Sequence, residues 1–95
     1  MEISRQDITI FVVDDEFIIR DSLSLLIESA GLKVKVYDSA ITFLEQVEIS
    51  QPGCLILDMR IPYMDGLELQ DELAKRNSTM PIIFISGHAN IQISS

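Results

Sequence analysis

Three short runs constrain this chain more than anything else in it: ITIFVV at Ile8–Val13, CLIL at Cys54–Leu57 and IIFI at Ile82–Ile85. Each is free of charge, rich in branched aliphatic residues and short. Runs of this kind are typical of strands buried on both faces, as in a parallel sheet covered by helices. A fourth run, LKVKVY at Leu32–Tyr37, alternates apolar and basic residues instead. It reads as an exposed edge strand whose lysines discourage further pairing.

Between these runs the spacing is helical. Phe17–Ala30 carries Ile19, Leu23, Leu26 and Ile27 at helical intervals, with Ile18 and Leu25 beside them, and Gly31 stands where such a helix stops. Phe17 and Ile18 are expected mostly in the core. Asp38 or Ser39 can cap a second helix with Ala40, Phe43, Leu44 and Val47 on one side. Pro52-Gly53 breaks the chain before the third strand. A loop from Met59 to Asp65, holding Pro62, then leads into a helix over Gly66–Arg76 with Leu69 and Leu73 one turn apart. Asp65-Gly66 reads as a turn and helix cap. The order is βαβαβαβ, which implies an α/β fold: a parallel sheet, right-handed crossovers and helices on both faces.

Ninety-five residues, 47% of them hydrophobic, describe one small folded domain. Fifteen acidic against seven basic residues give a formal charge of −8. That sign argues against this segment gripping a nucleic-acid backbone by itself. Most of the acids, among them Glu45, Glu48, Glu68, Asp71 and Glu72, are spaced as solvated helix faces. No apolar run is long enough to cross a bilayer, and Met1–Asp7 lacks the features of a secretion signal. The single cysteine, Cys54, cannot form an internal disulfide and reads as a small buried hydrophobe. A cytoplasmic location without membrane contact is expected.

The remaining acids are placed differently. Asp14 and Asp15 follow the first run, Asp58 the third, and Ser86 the fourth. In a parallel sheet these carboxyl ends share one rim, outside which ligands of open α/β folds bind. Like charges there repel and resist desolvation unless a cation neutralises them. Mg²⁺, which favours a few carboxylates plus water, is the most plausible cation for Asp14, Asp15 and Asp58.

VVDDE, LDMRIPYMDGLEL and PIIFISGH, in this order and at these intervals, resemble the receiver domain of a bacterial two-component response regulator. The resemblance runs from Asp7 through Ile93, and the GLEL and ISGH wording is similar to receivers joined to a LuxR-type helix-turn-helix domain. It implies a flavodoxin-like, CheY-like fold over residues 7–95. By resemblance, Asp58 is the phosphoacceptor for a phosphohistidine on a sensor histidine kinase. Asp15 binds Mg²⁺ directly, Asp14 largely through water, and Arg60 through its backbone carbonyl; Ser86 supplies the switch hydroxyl. Such a domain is a phosphoacceptor, not an enzyme acting on small molecules. It controls transcription through a DNA-binding domain, which this chain does not contain.

Receivers of this family continue through a fourth helix, a fifth strand with a Lys-Pro pair and a fifth helix. Lys33, Lys35 and Lys75 do not match that lysine. Beyond Ser86-Gly87 only HANIQISS remains, too short for another helix and strand, so a C-terminally truncated receiver is expected. Ile82–Ile85 then stands as an apolar edge, and a homodimer or an exchange of elements through the fourth-strand region follows from it. Three rival readings remain. A receiver-like interaction module or inactive fragment would keep the scaffold without phosphate. A haloacid dehalogenase-like phosphatase needs an acid two residues beyond Asp58, where Arg60 stands. A flavin carrier needs a phosphate-cradling loop after Val13, which is absent. His88 is read as a loop residue, and the side chain of Met59 as a neighbour of the acceptor that tunes access to it.

Overall fold

The computed structural model describes residues 8–48, 50–61 and 63–85, together with the backbone of residues 91–94. The elements are β1 (Thr9–Val13), α1 (Phe17–Ser29), β2 (Lys33–Tyr37), α2 (Ala40–Gln46), β3 (Gly53–Asp58), α3 (Gly66–Lys75), β4 (Ile82–Ile85) and β5 (Ile91–Ser94). They form one sheet in the order β2-β1-β3-β4-β5. The first four strands are mutually parallel, with Phe11 opposite Lys35 and Leu55, and Leu57 opposite Phe84. This is the open parallel sheet that the apolar runs require, with β2 at one edge as its lysines suggest.

Side chains alternate across a strand, so the register sorts the sheet into two faces. Phe11, Val13, Tyr37, Leu55, Leu57, Ile82 and Phe84 share one face, where they join Ala40 and Phe43 of α2 and Leu69 and Leu73 of α3 in a single buried cluster. Phe43 is the centre of its aromatic part. Its ring meets Phe11 at 5.7 Å and Tyr37 at 5.3 Å between centroids, both edge-on, the arrangement that ring quadrupoles favour.

Local signals set the helix ends. Ser39 caps α2, its hydroxyl accepting from the Thr42 N–H at 3.1 Å. Asp65 caps α3 in a reciprocal box: its carboxylate accepts from the Glu68 N–H, and Glu68 accepts from the Asp65 N–H. Gly31 ends the α1 turn at φ 80°, a conformation that suits glycine.

Three expectations are corrected. Phe17 and Ile18 are not in the core; they are 68% and 74% exposed. Ile27 is the buried residue of α1, and at 100° per residue Phe17 and Ile18 point well away from its side. The second correction concerns β4. Its edge is not bare, because Ile91–Ser94 returns antiparallel along it, with Ile83 opposite Ile93. A parallel return needs a crossover of a dozen or more residues, whereas an antiparallel return needs only a short loop. The five residues between Ile85 and Ile91 exclude the first and allow the second. The fifth strand here is therefore a hairpin partner, not a crossover strand. Cys54 is half-buried rather than fully so, and burial raises its thiol pKa.

Phe43→Ala should cost about 3–5 kcal/mol, the usual effect of emptying a fully buried aromatic site. Urea unfolding followed by far-UV circular dichroism checks this; a loss below about 1 kcal/mol would mean that the three-ring cluster is not the centre of the core.

Candidate functional site

Parallel pairing of β1 with β3 places Val13 opposite Leu57, so the residues after them, Asp14 and Asp58, emerge side by side at one end of the sheet. Neighbouring strands are about 4.8 Å apart, and nothing in the backbone can separate the two carboxylates further. Asp15 joins them: one carboxylate oxygen from each of Asp14, Asp15 and Asp58 lies within 4.8 Å of the others. Asp14 is buried at 2% exposure, Asp58 is half-buried and Asp15 is exposed.

The same local device aims two of the three. Asp14 Oδ1 accepts the Glu16 N–H at 2.8 Å, and Asp58 Oδ1 accepts the Arg60 N–H at 3.0 Å. Each is a side chain bonded to the backbone two residues on, the Asx-turn habit of aspartate. One oxygen of each carboxylate is thus fixed, and the other is left for a ligand. The strand ends are themselves tied: the Asp14 N–H donates to Tyr37 O at 3.1 Å, and the Met59 N–H to Ile85 O at 3.2 Å.

No ion pair neutralises the three acids among the described residues; the one found there joins Arg76 to Glu72. The Arg20 guanidinium donates to the Asp14 carbonyl at 2.7 Å rather than to a carboxylate. Burial consequently pushes the Asp14 carboxyl above its ordinary pKa, and Asp58, Asp15 and Glu16 push it further; only the Glu16 N–H opposes them. A carboxyl whose folded pKa is raised weakens the fold as pH climbs through the interval above the ordinary value. Above the raised pKa that cost is fully present unless a cation removes it.

The donor set fits a hard divalent cation. Oxygens around Mg²⁺ at about 2.1 Å are roughly 3–4 Å apart, so small side-chain rotations suffice from the observed spread. By contrast, a cleft of about 670 Å³ lined by Ile8, Pro52, Gly53, Arg76 and Pro81 lies at the opposite end of the strands. The polar chemistry sits on the rim, not in that cleft.

Sequence reasoning brought Asp14, Asp15 and Asp58 together, and the structure does the same. Arg60 lies in the loop beyond Asp58, held there through its N–H. Ser86 and His88, like Pro62, lie outside the described residues. Met59 turns inward and packs on the core cluster. Gly66 is the residue that sequence reasoning undervalued. It is more than a cap: a Cβ there would stand 3.0 Å from Met59 Cα and 3.1 Å from Asp58 O. The start of α3 is thereby pressed against the backbone that carries Asp58, and the Gly66 N–H donates to Met59 O at 3.2 Å. Such closeness is tertiary, and no local signal in DGLEL announces it.

Comparison with known proteins agrees with this arrangement. Residues 10–94 match the family model described as the response regulator receiver domain. The chain is 46% identical over 89 residues to the response regulator protein TmoT of Ectopseudomonas mendocina, covering 94% of this chain and 40% of that protein. It superposes on the response regulator StyR with a TM-score of 0.84 at 45% identity, covering 93% of this chain and 44% of that one. For the structure called FixJ-N the TM-score is 0.78 at 37% identity, covering 85% of this chain and 65% of that one. The chain thus spans about two-fifths of the length of a curated relative such as TmoT.

Asp14→Asn should raise the melting temperature in metal-free buffer at pH 7 by several degrees, because it removes a buried charge crowded by two others. Millimolar Mg²⁺ should raise the melting temperature of the unaltered protein and leave that of Asp14→Asn/Asp15→Asn unchanged. Differential scanning calorimetry with and without Mg²⁺ tests both; a lower melting temperature for Asp14→Asn would show that the carboxylate is stabilising as it stands.

Proposed function

The chain belongs to the response regulator receiver family, and on that footing we propose that Asp58 accepts a phosphoryl group from a phosphohistidine of a sensor histidine kinase. The observation that carries this reading is the convergence of Asp14, Asp15 and Asp58 within 4.8 Å at the strand ends. The free oxygen of Asp58 attacks phosphorus, the new O–P bond forms as the P–N bond breaks, and the imidazole nitrogen leaves with the bonding electrons. Asp14 and Asp15 would hold Mg²⁺ beside Asp58, with the Arg60 carbonyl as a further oxygen. When bound, the ion supplies positive charge against the phosphoryl oxygens.

The chain's own residues supply the positioning. The Arg60 N–H fixes one Asp58 oxygen and so orients the other, while Gly66 permits α3 to brace the Asp58–Met59 backbone. Ser86, one residue beyond β4, is proposed as the hydroxyl that meets the phosphorylated carboxylate. The domain is a signalling module; we assign it no turnover of small molecules and place it in the cytoplasm with its kinase. Output through a DNA-binding domain outside residues 7–95 is proposed from the likeness to transcriptional regulatory proteins such as TdiR of Thauera aromatica, 41% identical over 87 residues. For self-association through the fourth strand, exchange of β5 between copies is the available route, since β5 already occupies the β4 edge.

No lysine side chain is hydrogen-bonded or ion-paired to the three acids among the described residues. That observation favours a second reading, a receiver scaffold that binds a cation and partners without taking up phosphate. Intact-mass spectrometry after incubation with acetyl phosphate and Mg²⁺ separates the two. Gain of one phosphoryl group, absent in Asp58→Asn, is the expected result; no gain under conditions where Mg²⁺ binds would leave the interaction module.

A further inference from the structure

The three carboxylates are held unequally. Asp14 and Asp58 each have one oxygen fixed by a backbone N–H two residues on. The Asp15 carboxylate accepts no hydrogen bond and joins no ion pair among the described residues, and it is exposed. Its aim therefore depends on the backbone that carries it. That backbone is tied by Arg20, whose Nη1 donates to the Asp14 carbonyl at 2.7 Å. A peptide group is planar, so the Asp14 oxygen and the N and Cα of Asp15 move as one plate. The Asp14 end of the plate is already anchored, since the Asp14 N–H donates to Tyr37 O at 3.1 Å. Fixing the oxygen then fixes the direction in which Asp15 leaves the strand.

Arg20 reaches that oxygen for local reasons. It closes the first turn of α1, and helix side chains lean back towards the N-terminus, which directs it over Phe17. Its guanidinium lies 5.9 Å from the centre of the Phe17 ring, three residues earlier on the same side of the helix. Planar guanidinium groups stack well on aromatic faces. Phe17, exposed to solvent and outside the core, thus backs the arginine. The helix has no side-chain cap at Glu16; instead the Glu16 N–H meets Asp14 Oδ1 and the Asp14 carbonyl meets Arg20. The start of α1 and the acid pair are one hydrogen-bonded unit. A cation in the first turn opposes the helix dipole, so the stability of α1 alone does not call for arginine there. The acceptor matters too. Pairing with a carboxylate would occupy a ligand oxygen, whereas bonding a carbonyl leaves the carboxylate oxygens open.

We propose that Arg20 is a positioning residue of the cation site: through the Asp14 carbonyl it aims the Asp15 carboxylate at an ion shared with Asp14 and Asp58. The inference rests on the reading of those three acids as a cation site. Arg20 acts on such a site in two opposite ways. As a charge it repels a divalent ion and weakens its binding; as a clamp on the Asp14–Asp15 peptide it strengthens binding. The sign of the change when Arg20 is removed tells which prevails, and the geometry assigns the clamp. A residue that only supported the helix would alter the melting temperature and leave ion affinity unchanged. Lysine keeps the charge and a donor but lacks the planar fork and the stack on Phe17, so it replaces arginine only in part.

The test is Mn²⁺ binding to the 95-residue chain, followed by the electron paramagnetic resonance signal of the free aqueous ion, with no phosphoryl chemistry involved. Arg20→Met keeps an unbranched side chain over Phe17 and removes the donors. It should weaken Mn²⁺ binding about tenfold, the lower end of what losing an outer partner of a metal ligand costs. Arg20→Lys, the milder change, should fall between the two. In an Asp15→Asn background Arg20→Met should cause no further loss, because the clamp acts through Asp15. Each variant is titrated below its melting temperature, set by circular dichroism. Unchanged or tighter binding in Arg20→Met, with Asp15→Asn still weakening it, overturns the proposal and leaves the cation site standing. So does an equal loss in the Asp15→Asn background, which would make Arg20 a support of the turn as a whole. Mn²⁺ binding that Asp15→Asn does not weaken overturns the reading of the site itself, and this proposal with it.

Discussion

The register of β1 against β3 is the constraint on which the rest depends. Once Val13 lies opposite Leu57, Asp14 and Asp58 must emerge as neighbours, and Asp15 completes a cluster of negative charge no wider than 4.8 Å. The register cannot slip to relieve that repulsion. A one-residue shift would turn either Phe11 and Val13 of β1 or Leu55 and Leu57 of β3 out of the buried cluster they share with Phe43 and Leu69, at a cost far above that of crowding carboxylates. Hydrophobic burial thus enforces an electrostatic arrangement that is unfavourable without a cation. The energy of the core is converted in this way into a site poised for one.

That coupling explains the division of labour between the two faces of the sheet. The face under α2 and α3 is closed by aromatic contacts and by helix caps, and it holds the acid rim through Gly66 and the Asp58–Met59 backbone. Among the described residues, the face under α1 is closed over β1 and β2, and it sits behind the same three carboxylates.

Much of this was legible in the sequence because it follows from period and order. Charge-free runs ITIFVV, CLIL and IIFI name the inner strands, the lysines of LKVKVY name the edge, and strand ends in a parallel sheet must share a rim. The acid cluster needed nothing else. What escaped were features decided by tertiary geometry. Phe17 and Ile18 look like core residues because α1 is apolar on several sides, and composition does not say which side meets the sheet. β5 was missed because length was weighed against a parallel crossover, when an antiparallel return needs only a short loop. The tight passage at Gly66 depends on how the loop after Asp58 folds back on β3, and the 2.9 Å bond that Gln51 donates to Thr9 across 42 residues exists only once distant segments meet.

The most direct test of the central claim is the site of cation binding itself. In ¹⁵N–¹H spectra of the labelled protein, substoichiometric Mn²⁺ should first broaden the amides of Glu16 and Arg60, which donate to Asp14 and Asp58. Amides at the far end of the strands, such as Gly53 and Asn77, should stay sharp. Broadening spread instead over the acidic helix faces around Glu45, Glu48 and Asp71 would contradict the account, because the three crowded carboxylates would then not be what holds the ion.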